Sequence, residues 1–173
     1  VVRWTAMDIE HLDSGAACDR LDEIERVYAE AFPDHDLSDY RARMQSLLAS
    51  PGFEAVTARD DGALAGFVYG ASLSARSSWW DDLEPVQPAG FTAETGRRTF
   101  AVIDLAVRPA HRGRGPGHRL LDELLAGQPE ERAALATTPD EGRSRRCTSR
   151  GGGAMSAACQ VTQVRPNPGS TSM

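Results

Sequence analysis

"DLAVRPAHRGRGPGHRLLDELL", running from Asp104 to Leu125, is the stretch on which the fold turns. An apolar run leaves at Pro109 and a glycine-rich turn follows. Leu120, Leu121, Leu124 and Leu125 then return at the three- and four-residue spacings of one helical face. Just upstream, TFAVIDLAVRP (99–109) is apolar on both strand parities, as a strand buried on both faces requires. Glycine weakens a helix, so Gly113, Gly115 and Gly117 placed directly before one imply a need for bare backbone. The spacing predicts a central strand, a glycine turn and an amphipathic helix with Gly127 as its C-cap.

Such a turn aims several unpaired backbone N–H groups at one spot, and the start of the helix adds about half a positive charge. With Arg112 and Arg114 beside it, the natural guest is a diphosphate. Two familiar phosphate loops do not fit. A P-loop would need Gly-Lys-Ser/Thr, whereas Gly117 is followed by His118 and Arg119; a dinucleotide fingerprint needs G-x-G-x-x-G, whereas these glycines run G-x-G-x-G.

Around this centre, DIEHLDS near the start alternates as a strand does. Leu21, Ile24, Tyr28, Ala31 and Phe32 share a helical face, predicting a helix over Asp19–Phe32 that Pro33 ends. Ser38 is expected to cap a second helix carrying Tyr40, Met44, Leu47 and Leu48 on one face, closed by Pro51-Gly52. FEAVTARDDGALAGFVYGASL (53–73) reads as a hairpin turning at Asp61-Gly62. A loop bearing SSWWDDLEP then occupies residues 74–98, a length typical of binding loops, and RAALATT (132–138) is a further strand. This order indicates an α/β fold, a single domain with a mixed central sheet flanked by helices. Beyond Gly142 the Gly, Ser and Arg content reads as irregular, which divides the chain into a core over 1–142 and an atypical tail over 143–173.

With 173 residues, 40% hydrophobic and 25% charged, the chain has the profile of one soluble domain. No apolar run of about 18 residues exists to span a bilayer. VVRWTAMDIE lacks the apolar stretch of a secretory signal, so a cytoplasmic location is expected and no membrane role. Three cysteines, Cys18, Cys147 and Cys159, show no C-x-x-C spacing, which points to free thiols and no metal. The net charge of −6 opposes nucleic-acid binding, and Arg143, Arg145, Arg146 and Arg150 read as a solvated cluster.

The strand of type L-x-V-x-P, the R-G-x-G-x-G turn and the helix, in that order, closely resemble the central motif of the GNAT superfamily of N-acetyltransferases. The early helices and the hairpin extend the likeness over about residues 8 to 142. The resemblance implies acetyl-CoA as cofactor and acetyl transfer to an amine. Leu105, Ala106 and Val107 would line the thioester and pantetheine arm, and Arg112, Gly113, Arg114, Gly115, Gly117 and His118 would surround the pyrophosphate. Asp104, projecting opposite to Leu105 on the strand, is the candidate catalytic residue, holding or deprotonating a cationic acceptor. Its alternative is a structural hydrogen bond to a loop. Trp79, Trp80 and Asp81, with Asp82 and Glu84, would shape an aromatic and acidic acceptor site, against the alternative that the tryptophans pack in the core. His111 and His118 flank the turn and are assigned no proton transfer. A small-molecule amine is the expected partner; a homodimer is common in the resembled family, though these residues themselves carry no sign of an assembly.

Two departures from the family stand out. Pro116 has no N–H to give a phosphate, a loss of about 1.5 to 3 kcal/mol for a bond to a charged group. After ALATTPDEG, family members carry a short helix with a Leu-Tyr-Glu segment, whose tyrosine commonly serves as general acid, and then Gly-Phe or Gly-Trp with two more strands. Here the last tyrosine is Tyr69. If the codons from Arg143 onward are GC-rich, one inserted C after the Gly142 codon rereads them as Pro-Val-Ala-Ala-Leu-Tyr-Glu-Pro and then Arg-Gly-Trp-Arg-Asp-Val-Gly, the missing segment. Taken as printed, the chain implies weakened activity, and the alternative reading is a catalytically impaired acyl-CoA-binding relative.

Overall fold

A computed structural model of the chain describes residues 7–81, 87–136 and 159–160. Strand β1 (Asp8–Leu12) is followed by helices α1 (Ser14–Asp19), α2 (Leu21–Ala31) and α3 (Tyr40–Leu48). The hairpin β2 (Glu54–Asp60) and β3 (Ala63–Ser72) leads to β4 (Thr99–Val107), α4 (Pro116–Ala126), β5 (Arg132–Ala136) and a short β6 (Cys159–Gln160). The sheet order is β1-β2-β3-β4-β5-β6. Strand β2 pairs antiparallel with β1 and β3, whereas β4 and β5 are parallel, so the sheet is mixed as expected.

The chain divides into two compact units, Val1–Gly70 with Asp104–Gly127, and Ala71–Ile103 with Gln128–Met173. In the first, α2 buries Leu21, Ile24, Val27, Tyr28 and Ala31, the face its sequence period defines. Helix α4 buries Leu120 and Leu124 completely. The hairpin turns where Asp61 and Gly62 take φ of 47° and 80°, the left-handed pair a tight turn needs. Gly66 on β3 allows a close approach: a Cβ there would lie 2.8 Å from the Ala106 carbonyl oxygen and 3.3 Å from Leu120 Cδ1.

In the second unit, Leu73, Trp80, Ala101 and Ala134 form a core against which Phe91 and Ile103 pack. A buried ion pair organises it: Arg132 meets Glu94 at 2.9 Å, and Thr99 Oγ1 and Trp80 Nε1 donate to the same Glu94 oxygen at 2.7 and 2.9 Å. The Arg132 guanidinium also lies over the rings of Trp80 and Phe91, 4.9 and 4.6 Å from their centres. The chain between β3 and β4 is thereby folded without strand or helix among its described residues.

Several expectations need correction. The first helix does not run unbroken from Asp19 to Phe32. Arg20, at φ −106° and ψ 12°, separates α2 from the earlier α1, which Asp13 caps by accepting the Ala16 N–H at 2.9 Å. Ser38 does not cap α3; its hydroxyl and N–H are both donated to the Asp36 carboxylate, and Asp39 takes the capping position. Gly127 is the C-cap of α4 but has a right-handed φ of −92°, so its conformational freedom is not used. Within the stretch expected to be irregular, Cys159–Gln160 pairs antiparallel with Leu135 and Ala136 of β5. The remaining tail residues, including the four arginines and Cys147, lie outside the described residues.

Candidate functional site

The segment from Asp104 to His118 lies wholly within the first unit. Strand β4 leaves through a single 3-10 turn at Pro109–His111, and His111 is held there by Asp60 at 3.2 Å. Gly113 and Gly115 then take φ of 78° and 90°. A Cβ at either would meet nothing within 4 Å, so the space on that side of the backbone is open. Gly117 sits against the strand, where a Cβ would touch Val107 Cγ2 at 3.8 Å and Leu105 Cδ2 at 3.9 Å. Ala106 is buried, and Leu105 and Val107 are half-buried.

Pro116 is the first residue of α4, and it is buried. At that position an N–H has no intrahelical acceptor, and the ring's fixed φ suits the turn. The helix therefore loses nothing by the substitution. Gly117 and His118 follow in the first turn, where backbone N–H groups precede any carbonyl four residues back; the first such bond runs from Arg119 N to Gly115 O.

Two arginines fasten this segment. Arg112 donates Nε to the Val107 carbonyl at 3.0 Å and a terminal nitrogen to the Ala31 carbonyl at 2.8 Å. Arg108 donates Nε to the Leu64 carbonyl and pairs with both Glu30 oxygens at 2.8 and 2.9 Å. Ala31 ends α2, whose last carbonyls have no helical partners, so these bonds tie that helix end to the start of the turn. Arg112 thus spends two donors on backbone, and its side chain acts first as a fastener. Arg114 and Arg119 are exposed cations on the turn and first helical turn. First-turn N–H donors, open space beside two left-handed glycines and exposed positive charge together fit a diphosphate-sized anion.

Asp104, half-buried on β4, receives the Tyr69 hydroxyl at 2.6 Å on Oδ2. Tyr69 in turn lies 3.2 Å from the Tyr40 hydroxyl. Burial pushes both phenols up, and for Tyr69 the Asp104 charge adds to the shift, so both remain protonated donors. Sequence reading passed over this pair. Tyr69 and Asp104 are 35 residues apart, and only strand pairing brings them together.

Trp79, Trp80 and Asp81 belong to the second unit. Trp80 is 6% exposed and packed in the core, the packing alternative set out above; Trp79 lies partly buried against the same cluster. Asp81 is exposed, and Asp82 and Glu84 lie outside the described residues. No helix among the described residues is long and apolar enough to cross a membrane.

With the sheet order and this strand, turn and helix established, the class is an α/β protein with a mixed sheet and a glycine turn leading from β4 into α4. A model of the acetyltransferase (GNAT) family matches residues 19–151, and the chain belongs to that family. Solved structures share its fold. An aminoglycoside N-acetyltransferase AAC(6')-Iy in complex with CoA is 18% identical, with a TM-score of 0.58 over 87% of this chain and 89% of that one. An aminoglycoside acetyltransferase from an uncultured soil metagenomic sample, in complex with sisomicin, is 13% identical, with a TM-score of 0.58 over 83% and 86%. A ribosomal-protein-alanine N-acetyltransferase from Brucella melitensis biovar Abortus 2308 is 25% identical, with a TM-score of 0.56 over 91% and 99%. No curated protein matches the chain.

Proposed function

We propose that this chain transfers an acetyl group from acetyl-CoA to a primary amine of a small-molecule acceptor. The observation that carries the reading is the open turn at Gly113 and Gly115, leading from β4 into the N-terminus of α4. The family and the CoA bound by one structural neighbour support the donor; the aminoglycoside-acetylating neighbours support the acceptor class. When bound, acetyl-CoA supplies the acetyl group as a thioester whose sulfur leaves as a thiol. In this reading the N–H groups of Gly113, Arg114, Gly115, Gly117 and His118 and the charge of Arg114 hold its diphosphate, and Leu105 to Val107 line its arm. Asp104 takes the proton that an ammonium acceptor must shed before its nitrogen can attack. The proton lost by that nitrogen after attack balances the one the sulfur gains, so Asp104 returns the first proton to solvent.

A second reading keeps acetyl-CoA binding without turnover, because no tyrosine follows Tyr69 to act as the family's usual general acid. Calorimetric titration of acetyl-CoA into protein of verified intact mass, then thiol release with a panel of amines, tests both. Micromolar binding with amine-dependent thiol release is the expected result. Binding without release favours the second reading, and absence of binding overturns both.

A further inference from the structure

Two buried phenols bear on the carboxylate that the proposed function uses. Tyr40 opens α3 and Tyr69 lies on β3, and each is 1% exposed. A phenol has one proton to donate. Tyr69 gives its proton to Asp104 Oδ2 at 2.6 Å, so in the 3.2 Å contact its oxygen accepts and Tyr40 donates. The hydrogen bonds therefore run one way, from Tyr40 to Tyr69 to Asp104. The Tyr69 ring is held too, stacked on Phe67 at 5.2 Å and tilted against Phe53 at 6.4 Å. Its hydroxyl is fixed by packing as well as by its partners.

We propose that Tyr69, itself held by Tyr40, is the positioning residue of Asp104, fixing the rotation of the carboxylate through Oδ2 while the acceptor amine is deprotonated. This rests on the reading of Asp104 as the base. A donor directed at a carboxylate favours its charged form, and a donor polarised by a second hydroxyl behind it does so more strongly. Other groups face the same cluster. Arg43 of α3 interacts with the Asp104 charge and with Tyr28 of α2; Tyr28 also bonds His35 at 3.1 Å, and Glu25 of α2 acts on Tyr40.

The test is the pH profile of kcat/KM for Tyr69→Phe, Tyr40→Phe and the double variant, each keeping its aromatic ring. Losing the donor makes the carboxylate easier to protonate, so the acid limb should move up by about one pH unit in Tyr69→Phe and by less in Tyr40→Phe. The double variant should match Tyr69→Phe alone, because Tyr40 acts through Tyr69. Carbon-13 NMR titration of the Asp104 carboxyl, assigned with Asp104→Asn, should show the same ordering without turnover. An unmoved acid limb in Tyr69→Phe, additive effects in the double variant, or a limb that moves only with His35→Gln overturns the proposal. Should Asp104→Asn turn over amines normally, the assignment of the base fails instead, even where the NMR titration shows the hydrogen bond.

Discussion

A methyl group tests two glycines of this chain in opposite ways. At Gly66 it would meet the Ala106 carbonyl oxygen at 2.8 Å and Val107 Cγ2 at 3.2 Å, atoms of a buried strand with little room to move. Gly66→Ala should therefore cost about 1 to 3 kcal/mol of stability by overpacking, read by urea denaturation. At Gly115 the methyl meets nothing within 4 Å, but φ is 90°. Gly115→Ala should cost about 1 to 2 kcal/mol from backbone strain alone and place a methyl beside the proposed diphosphate. Its acetyl-CoA affinity, measured by calorimetry at a temperature where the variant stays folded, should fall about tenfold, as should follow from a lost hydrogen bond. The two glycines are alike in sequence; only Gly115, at the head of a helix, advertised its role there, while Gly66 reads as one more small residue in a hairpin strand.

Elements show the same division between local and distant causes. Strand β4 and helix α4 were legible because their apolar periods are intact over Thr99–Val107 and Pro116–Ala126. Helix α1 was not, since Ser14–Asp19 is six residues long and buries only Ala17. Its one signal was Asp13, a capping residue without an apolar run behind it. Likewise Ser38 had the right chemistry for a cap but a nearer partner in Asp36. For the candidate site, the contiguous turn was readable from residue types, whereas the donors spent by Arg112 and the hydroxyl meeting Asp104 depend on α2 and β3. Arg112→Gln should thus do more than remove a charge. Losing the fork between Val107 and the end of α2 should lower stability by about 1 to 2 kcal/mol, visible as a lower Tm, and should weaken acetyl-CoA binding with it. Arg114→Gln, on an exposed cation, should weaken binding and leave Tm nearly unchanged.

For the whole molecule, titration sets both ends of the stable pH range. Burial raises the phenols of Tyr40 and Tyr69 in the folded chain, so above about pH 10 the unfolded chain releases protons that the native one keeps. Their contribution is complete below that pH and is lost as pH rises, so Tm should fall steeply there. Tyr69→Phe should flatten the fall in a thermal series from pH 8 to 11. At the acid end the sign reverses. Hydrogen bonds from Arg59 hold the Glu23 carboxyl below its usual range, so its stabilisation is present above about pH 4.3 and lost as pH falls further. Glu23→Gln should shallow the acid limb of the same series. The cage around Glu94 has an optical consequence as well. Trp80 is enclosed, donates its indole N–H to a carboxylate and lies beneath a guanidinium, so its emission should be blue of that from a water-exposed indole. Any opening of the segment before β4 should redden that light before the sheet itself melts, and with Trp4 replaced by Phe the emission of Trp79 and Trp80 gives a fluorophore for watching that one region.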